Sequence, residues 1–547
     1  MIEREPMKIS VTTKLINFLS SHRYLAAIFI LFSLILGIRI YLYEEPLYYD
    51  YVRNALATIR ITEEFSGSIL LNPHPQAGPF FAIVAQPFSI LTGHSDFYVL
   101  LGTQLVFISI LFFCLYKLVE AFHSRTAAAL SLLILTCFPV FFGQSMLWLH
   151  DVAHAAMVTA AIYLSLRPDT FVLRHRSVIF GLTVAFGILT RFTYPVFVLG
   201  GFSIVAFNLL RNSNLRTFLK TKEFKNICIA LSLVLAIALP WILNTTVHIL
   251  GTLYQDISQT VRNDNSIQKT GFEAAFYYWN VLWVAIGPHW ILPFFLSLCF
   301  VLRTNYKTLC LVTSIIAPLF LMGFMPVTGV RYIMPVLPFI AAVTAIAFSD
   351  FLDKNRISKI ATSIILVCLV SFSFSQHFIQ SFLPNGCDWI AKAKIGVRVI
   401  SEEPRFRGPV IWRSSCNENV RNVHKLDANP ISYVDDLIKN LLSLNDVIVA
   451  FHAHEGVKVS YLRSQITYLL IKHQLLEKSP RFRFIDAFKG ERDANVVIEM
   501  SNMPLLDQSL LSRGRLNYLG DLDTYQTEVG HSEPWFIRTT IVSNSQY

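Results

Sequence analysis

Residues 24–55 read YLAAIFILFSLILGIRIYLYEEPLYYDYVRNA. Up to Tyr43 the stretch is apolar apart from Arg39. A helix needs about 20 such residues to cross the hydrocarbon layer of a bilayer. Arg4, Lys8, Lys14 and Arg23 precede the run. It is too long for a signal-peptide core and lacks a small-residue cleavage site, so it reads as an uncleaved first span. Arg39 reads as a side chain snorkelling to the interface. From Glu44 onward the character changes at once to acids and tyrosines, as expected where a helix leaves the membrane.

The same reading repeats along the chain. Apolar runs at 24–43, 97–117, 126–146, 151–166, 176–190, 193–210, 227–247, 276–302, 308–325, 331–349 and 359–380 give about eleven spans. The break at Arg191-Phe192-Thr193 is very tight for a reversal. Composition agrees: 54% of the 547 residues are hydrophobic and 15% charged, against about 25% charged in soluble domains. With the N-terminus inside, nineteen cations fall on inner segments and six on outer ones (Arg53, Arg60, Arg191, Arg262, Lys269, Arg331). That asymmetry follows the positive-inside rule, and it accounts for the net charge of +10 without a nucleic-acid partner. Six cysteines lie in apolar runs as small hydrophobes. Cys387 and Cys416 lie beyond them and suit one disulfide in an oxidising compartment.

Residues 1–384 are thus expected to form a membrane domain with a first outer loop at 44–96, whose apolar segment Pro79–Leu91 is short enough to lie along the interface. Residues 385–547 have soluble composition. Candidate strands Pro409–Trp412, Val447–Phe451, Phe482–Phe488 and Asn495–Met500 alternate with candidate helices Ser432–Leu444 and Ser460–Glu477, an α/β pattern. An odd span count puts this domain outside the cytoplasm. The fold class expected is a polytopic α-helical membrane protein with a C-terminal soluble α/β domain. Its place is a bacterial inner membrane with the domain in the periplasm, or an endoplasmic reticulum membrane with the domain in the lumen.

Ionisable residues near a membrane usually line a cavity or a pathway. Here they gather on the outer side. Glu44, Glu45 and Asp50 follow the first span, and a carboxylate beside low-dielectric material is a candidate base. His74 lies in Asn72-Pro73-His74-Pro75; His150-Asp151 opens the fourth span, with His154 one turn on; Arg191 ends the fifth; Asn280 and His289 lie near the eighth; Arg331-Tyr332 opens the tenth. Each alone is also what a helix cap or a solvated span end looks like.

In order, these elements resemble a family. Tyr49-Asp50-Tyr51-Val52-Arg53-Asn54-Ala55, Asn72-Pro73-His74-Pro75, His150-Asp151, Gly181 to Arg191 and Arg331-Tyr332-Ile333-Met334-Pro335-Val336-Leu337-Pro338 are similar to the motifs of GT-C glycosyltransferases, the group of protein O-mannosyltransferases and lipid A aminoarabinose transferases. The resemblance covers roughly residues 24–380. It implies sugar transfer from a polyprenyl-phosphate donor to an acceptor lipid, glycan or protein at the outer face, with inversion. It implies Asp50 and Asp151 as catalytic residues, and His74, Arg191, Arg331, Tyr332, Glu44, Glu45 and His150 as substrate-binding ones. Family members often carry Asp-Glu at the acidic motif, whereas Asp50 is followed by Tyr51, so Glu44-Glu45 is the alternative alignment; Arg191 stands where Lys is usual. No obligatory cofactor is expected; His150, Asp151 and His154 leave a divalent metal open without completing a ligand set. No Walker or Rossmann glycine pattern occurs, which argues against a nucleotide donor. A transporter or lipid flippase is the alternative, but such folds tend to show internal repeats, and none is visible.

Overall fold

In a computed structural model of the chain, the described residues are 22–42, 58, 78–92, 95–146, 149–211, 218–262, 272–301, 306–324, 330–382 and five strands between 448 and 543. The first part is a helical bundle. It runs α1 Arg23–Leu42, α2 Pro79–Leu91, α3 Asp96–Phe122, α4 Arg125–Cys137, α5 Pro139–Gln144, α6 Asp151–Leu166, α7 Arg174–Ile188, α8 Tyr194–Arg211 and α9 Lys222–Arg262. It continues with α10 Phe272–Ile286, α11 Pro288–Val301, α12 Tyr306–Leu321, a 3₁₀ turn Val330–Val336, α13 Leu337–Lys354 and α14 Arg356–Phe382. Six of these helices, among the described residues, are long and apolar enough to cross a membrane, and five shorter ones are apolar. The chain is an integral membrane protein.

Two of the expected spans are broken. The run 126–146 ends its first helix at Cys137 and starts again at Pro139, with Phe138 extended between them. Proline has no N–H to give to the preceding turn, and it disfavours a helical residue before it. The run 276–302 breaks at Gly287, whose φ of 90° is a left-handed conformation that glycine takes at little cost; Pro288 then opens α11. The span expected at 227–247 is longer than a bilayer requires. Helix α9 has 41 residues, about 60 Å at 1.5 Å per residue, so it extends well past a hydrocarbon layer of about 30 Å.

Phenylalanines fill much of the interior. Phe32 stacks on Phe141 with ring centroids 5.5 Å apart, and Phe80 stacks on Phe186 at 4.5 Å. Where helices cross most closely, small residues face each other, as is usual in membranes: a Cβ on Gly181 of α7 would lie 2.7 Å from the Ala230 carbonyl oxygen of α9. Arg39 is 3% exposed. It faces the bundle, so the expectation that it snorkels is corrected; α1 is apolar on all sides, and its sequence gives no hint of which face turns inward.

The described strands form one five-stranded sheet: β1 Ile448–Ala453, β2 Arg483–Asp486, β3 Val496–Ser501, β4 Asn517–Glu528 and β5 Pro534–Ser543, in the order β2-β1-β3-β5-β4. β1 is parallel to β2 and β3, while β5 is antiparallel to β3 and β4. Three of the expected strands match β1, β2 and β3 within a few residues. The expected strand Pro409–Trp412, both expected helices, Cys387 and Cys416 lie outside the described residues.

Candidate functional site

Helix α13 fixes the two ends of the bundle. Asp350, near its C-terminus, bonds His123 at the end of α3 at 2.7 Å, and Ser349 meets Ser124, the N-cap of α4, at 3.2 Å. Arg331 and Tyr332 precede α13 at its other end. There they meet two further elements, the start of α6 and the turn between α7 and α8.

Asp151 opens α6 and is buried. Its Oδ1 accepts a hydrogen bond from Arg191 Nη1 at 2.5 Å, an ion pair whose side chains are 1% and 5% exposed. A carboxylate in the first turn of a helix is also favoured by the helix dipole. Arg191 reaches it because the tight reversal is real. Thr190 N–H donates to Gly187 O at 3.1 Å, Arg191 N–H to Ile188 O at 3.1 Å and Tyr194 N–H to Arg191 O at 3.0 Å. These successive short turns carry the chain from α7 straight into α8.

Tyr332 joins the two arginines. The Arg191 guanidinium carbon lies 4.3 Å from the centre of the Tyr332 ring, and that of Arg331 lies 5.2 Å from it. Arg331 Nη2 also approaches the Tyr332 hydroxyl at 3.5 Å. Arg331 is 8% exposed, and the ring is half-buried. Cation–π contacts of this kind strengthen when desolvated. The cluster therefore holds two guanidinium groups and one carboxylate, an excess of positive charge in a dry setting.

The segment that follows His74 enters this place. Gly78 N–H donates to Thr190 O at 3.1 Å, and Phe80 N–H donates to Leu189 O at 3.2 Å. A Cβ on Gly78 would collide with the Leu189 carbonyl, so glycine is what allows the two backbones to touch.

Residues 73–243 match the family model described as dolichyl-phosphate-mannose-protein mannosyltransferase. ArnT from Cupriavidus metallidurans in the apo state aligns at 15% identity and a TM-score of 0.58, covering 95% of this chain and 98% of that one. The structure of that enzyme bound to undecaprenyl phosphate aligns at 14% identity with the same TM-score and coverage. The chain has the ArnT fold. The archaeal oligosaccharyltransferase AglB from Archaeoglobus fulgidus, in complex with an inhibitory peptide and a dolichol-phosphate, overlaps more loosely, at 11% identity and a TM-score of 0.42 over 87% of this chain and 69% of that one. No curated protein sequence matches. The similarity to the GT-C group, read first from the order of motifs, holds at the level of fold.

Within this ArnT-like bundle, Asp151, Arg191, Arg331 and Tyr332 come together. His150 lies beside them as the residue capping α6, 5% exposed, its carbonyl accepting from His154 N–H at 2.8 Å. Glu44, Glu45, Asp50 and His74 lie outside the described residues. His289 belongs elsewhere: its Nε2 pairs with Ser373 Oγ of α14 at 2.6 Å. Among the described residues no group of three His, Cys, Asp or Glu side chains could hold a metal. The sequence did not show that Asp151 and Arg191 form a pair, since forty residues separate them. Nor did it mark Tyr194 and Phe197, which wall in His154 with ring centroids 6.0 and 5.0 Å away.

Proposed function

We propose that the chain is a membrane glycosyltransferase that moves a sugar from a polyprenyl-phosphate donor to an acceptor at the extracytoplasmic face. The observation that supports this best is the cluster itself: two arginines, a carboxylate and a tyrosine, buried at one end of an ArnT-like helix bundle. A prenyl phosphate must keep its tail in lipid while its phosphate meets cations, and a dry cationic cluster at the bundle's end suits both needs. ArnT in the matching structure binds undecaprenyl phosphate, which supports the same donor class here.

In this reading the bundle crosses the membrane about eleven times with its N-terminus inside, and residues 385–547 form an extracytoplasmic soluble α/β domain. The membrane is a bacterial inner membrane, or the endoplasmic reticulum in a eukaryote. Asp50, or Glu44-Glu45 in its place, takes the proton of the acceptor hydroxyl or amine. The acceptor oxygen or nitrogen bonds to the anomeric carbon from the face opposite the phosphate. The bond from that carbon to the phosphate oxygen breaks, and polyprenyl phosphate leaves with the electron pair. Inversion follows from this single in-line displacement. Proton removal by a placed base supplies typically about 10²–10⁴ in rate.

Arg331 neutralises the leaving phosphate, because its planar fork matches phosphate oxygens. Arg191, held by Asp151, adds field from behind, and Tyr332 keeps the two guanidinium groups in place. His74 and His150 contribute hydrogen bonds to donor or acceptor. No step requires a metal.

The test is sugar transfer by the purified chain in lipid nanodiscs, from a panel of polyprenyl-phosphate sugars, with Asp50→Asn and Glu44→Gln/Glu45→Gln beside wild type. Transfer by wild type that Asp50→Asn abolishes, with donor still bound, supports the mechanism. Movement of the lipid across the bilayer with no transfer from any donor would sink it.

A further inference from the structure

His154 is the one histidine of the site region that the mechanism leaves without a task. It lies on α6, three residues after Asp151, so the two side chains share a helix face one turn apart. It is 0% exposed. Neither ring nitrogen has a hydrogen-bond partner among the described residues. Its walls offer nothing: the Phe197 ring meets it edge to face, and the Tyr194 hydroxyl donates to Met157 O at 3.5 Å instead. In the ion pair one helical turn away, two more polar atoms are in the same condition, Asp151 Oδ2 and Arg191 Nε, both buried and without a partner among the described residues.

Buried polar atoms are nearly always satisfied, and those that are not call for an explanation. An apolar side chain of similar size at 154 would avoid the cost of burying an imidazole unpaired. The three groups complement one another. A neutral imidazole offers one N–H and one lone pair, the free carboxylate oxygen only accepts, and Arg191 Nε only donates. A water molecule needs two to four polar partners to be held inside a protein, and these residues supply them.

We infer that His154 is a positioning residue for Asp151: its ring N–H donates to one ordered water, which in turn donates to Asp151 Oδ2. Arg191 then fixes one oxygen of the carboxylate from the rim, and His154 fixes the other from the interior. The carboxylate cannot turn, and the Arg191 guanidinium stays over Tyr332. This rests on the proposed role of the Asp151–Arg191 pair in transfer, and it adds a residue that touches neither donor nor acceptor.

The experiment compares His154→Phe, His154→Leu and His154→Gln with Asp151→Asn, all purified in nanodiscs. Each is measured for thermal unfolding and for kcat and donor KM with a polyprenyl-phosphate sugar. Glutamine keeps a donor and an acceptor; phenylalanine and leucine keep neither. His154→Phe or His154→Leu is expected to unfold close to the wild-type temperature, because burying an apolar side chain among Phe197 and Tyr194 offsets the one water-mediated hydrogen bond that is lost. Its kcat is expected to fall about tenfold, the scale of one lost hydrogen bond to a charged group, with donor KM unchanged and most of the loss recovered by His154→Gln. A merely structural histidine would behave differently: both apolar variants would lose stability and activity together, and glutamine would be no better. That result overturns the inference. Wild-type kcat in the apolar variants, with Asp151→Asn impaired, overturns it too while sparing the site. Full activity in Asp151→Asn would instead remove the reading on which the inference stands.

Discussion

At one end of the bundle Asp151 and Arg191 pair with side chains 1% and 5% exposed; at the other, Glu120 joins Lys117 at 2.7 Å and Arg125 at 3.0 Å with side chains 20%, 23% and 64% exposed. The residue types are nearly the same, and the physics is not. Water and salt screen the Glu120 network, and exposed pairs contribute at most about 1 kcal/mol each. The Asp151–Arg191 pair is shut off from bulk water and salt. Removing one partner leaves an uncompensated buried charge, at a cost of about 3–5 kcal/mol. A chain that needed only a soluble helix end would put its charges where Glu120 is. Burying them at the Asp151 end costs stability, a cost that the proposed role in transfer explains.

The sharpest way to break this contrast is a double-mutant cycle. Asp151→Ala and Arg191→Met should each lower the unfolding free energy by about 3–5 kcal/mol, and the double variant should lose much less than the sum. Thermal and denaturant unfolding in detergent would check it; additive losses would mean that the two residues do not act as a pair. Tyr332→Leu comes next. It removes the ring that both guanidinium groups lie over, and should weaken donor use about tenfold, at about 1–2 kcal/mol of desolvated cation–π contact, with unfolding little changed. A ratio of kcat to KM within a factor of about two of wild type would refute that role.

At the Glu120 end the expected effects are small. Glu120→Gln should cost at most about 1 kcal/mol, and the difference from wild type should vanish in high salt; a loss as large as that of Asp151→Ala would erase the distinction between the two ends. His22 gives the smallest effect. Burial, with the Lys117 ammonium 3.0 Å from its ring, holds its pKa below the ordinary 6.5. The unfolded chain therefore binds a proton there that the folded chain resists. Stability is full above about pH 6.5 and declines as the pH falls below it. His22→Gln should flatten that decline, measured as unfolding temperature from about pH 7 to 5; an unchanged slope would assign it to other groups.

Much of this was legible in the sequence, and the failures have physical causes. Long apolar runs give helices because lipid allows little else, so α1, α3, α8 and α14 lie where the runs are. The breaks within 126–146 and 276–302 also had a signal. Phe138-Pro139 and Gly287-Pro288 are breaker dipeptides, outweighed by continuous hydrophobicity. Strands β4 and β5 were missed. β4 reads NYLGDLDTYQTE, and its Gly and Asp residues argue against a strand by propensity, while ten paired positions with β5 hold it in the sheet. In the site, Asp151, Arg191 and Arg331 were found by where they stand at span ends. Their mutual contacts were not, because a contact between residues 151 and 191 leaves no local pattern. His154 was visible as a residue one turn from Asp151, but that both its nitrogens lack partners among the described residues is a property of the packed interior alone.

The central claim is that the buried cluster around Tyr332 receives a lipid phosphate and the opposite end does not. Binding of a polyprenyl monophosphate without sugar, to wild type, Arg331→Met and Lys117→Met in nanodiscs of neutral lipid, tests it most directly. Arg331→Met is expected to weaken binding at least about tenfold, the loss of one charge-assisted contact, and Lys117→Met to leave it as it was. Equal losses in both variants, or wild-type affinity in Arg331→Met, would contradict the account.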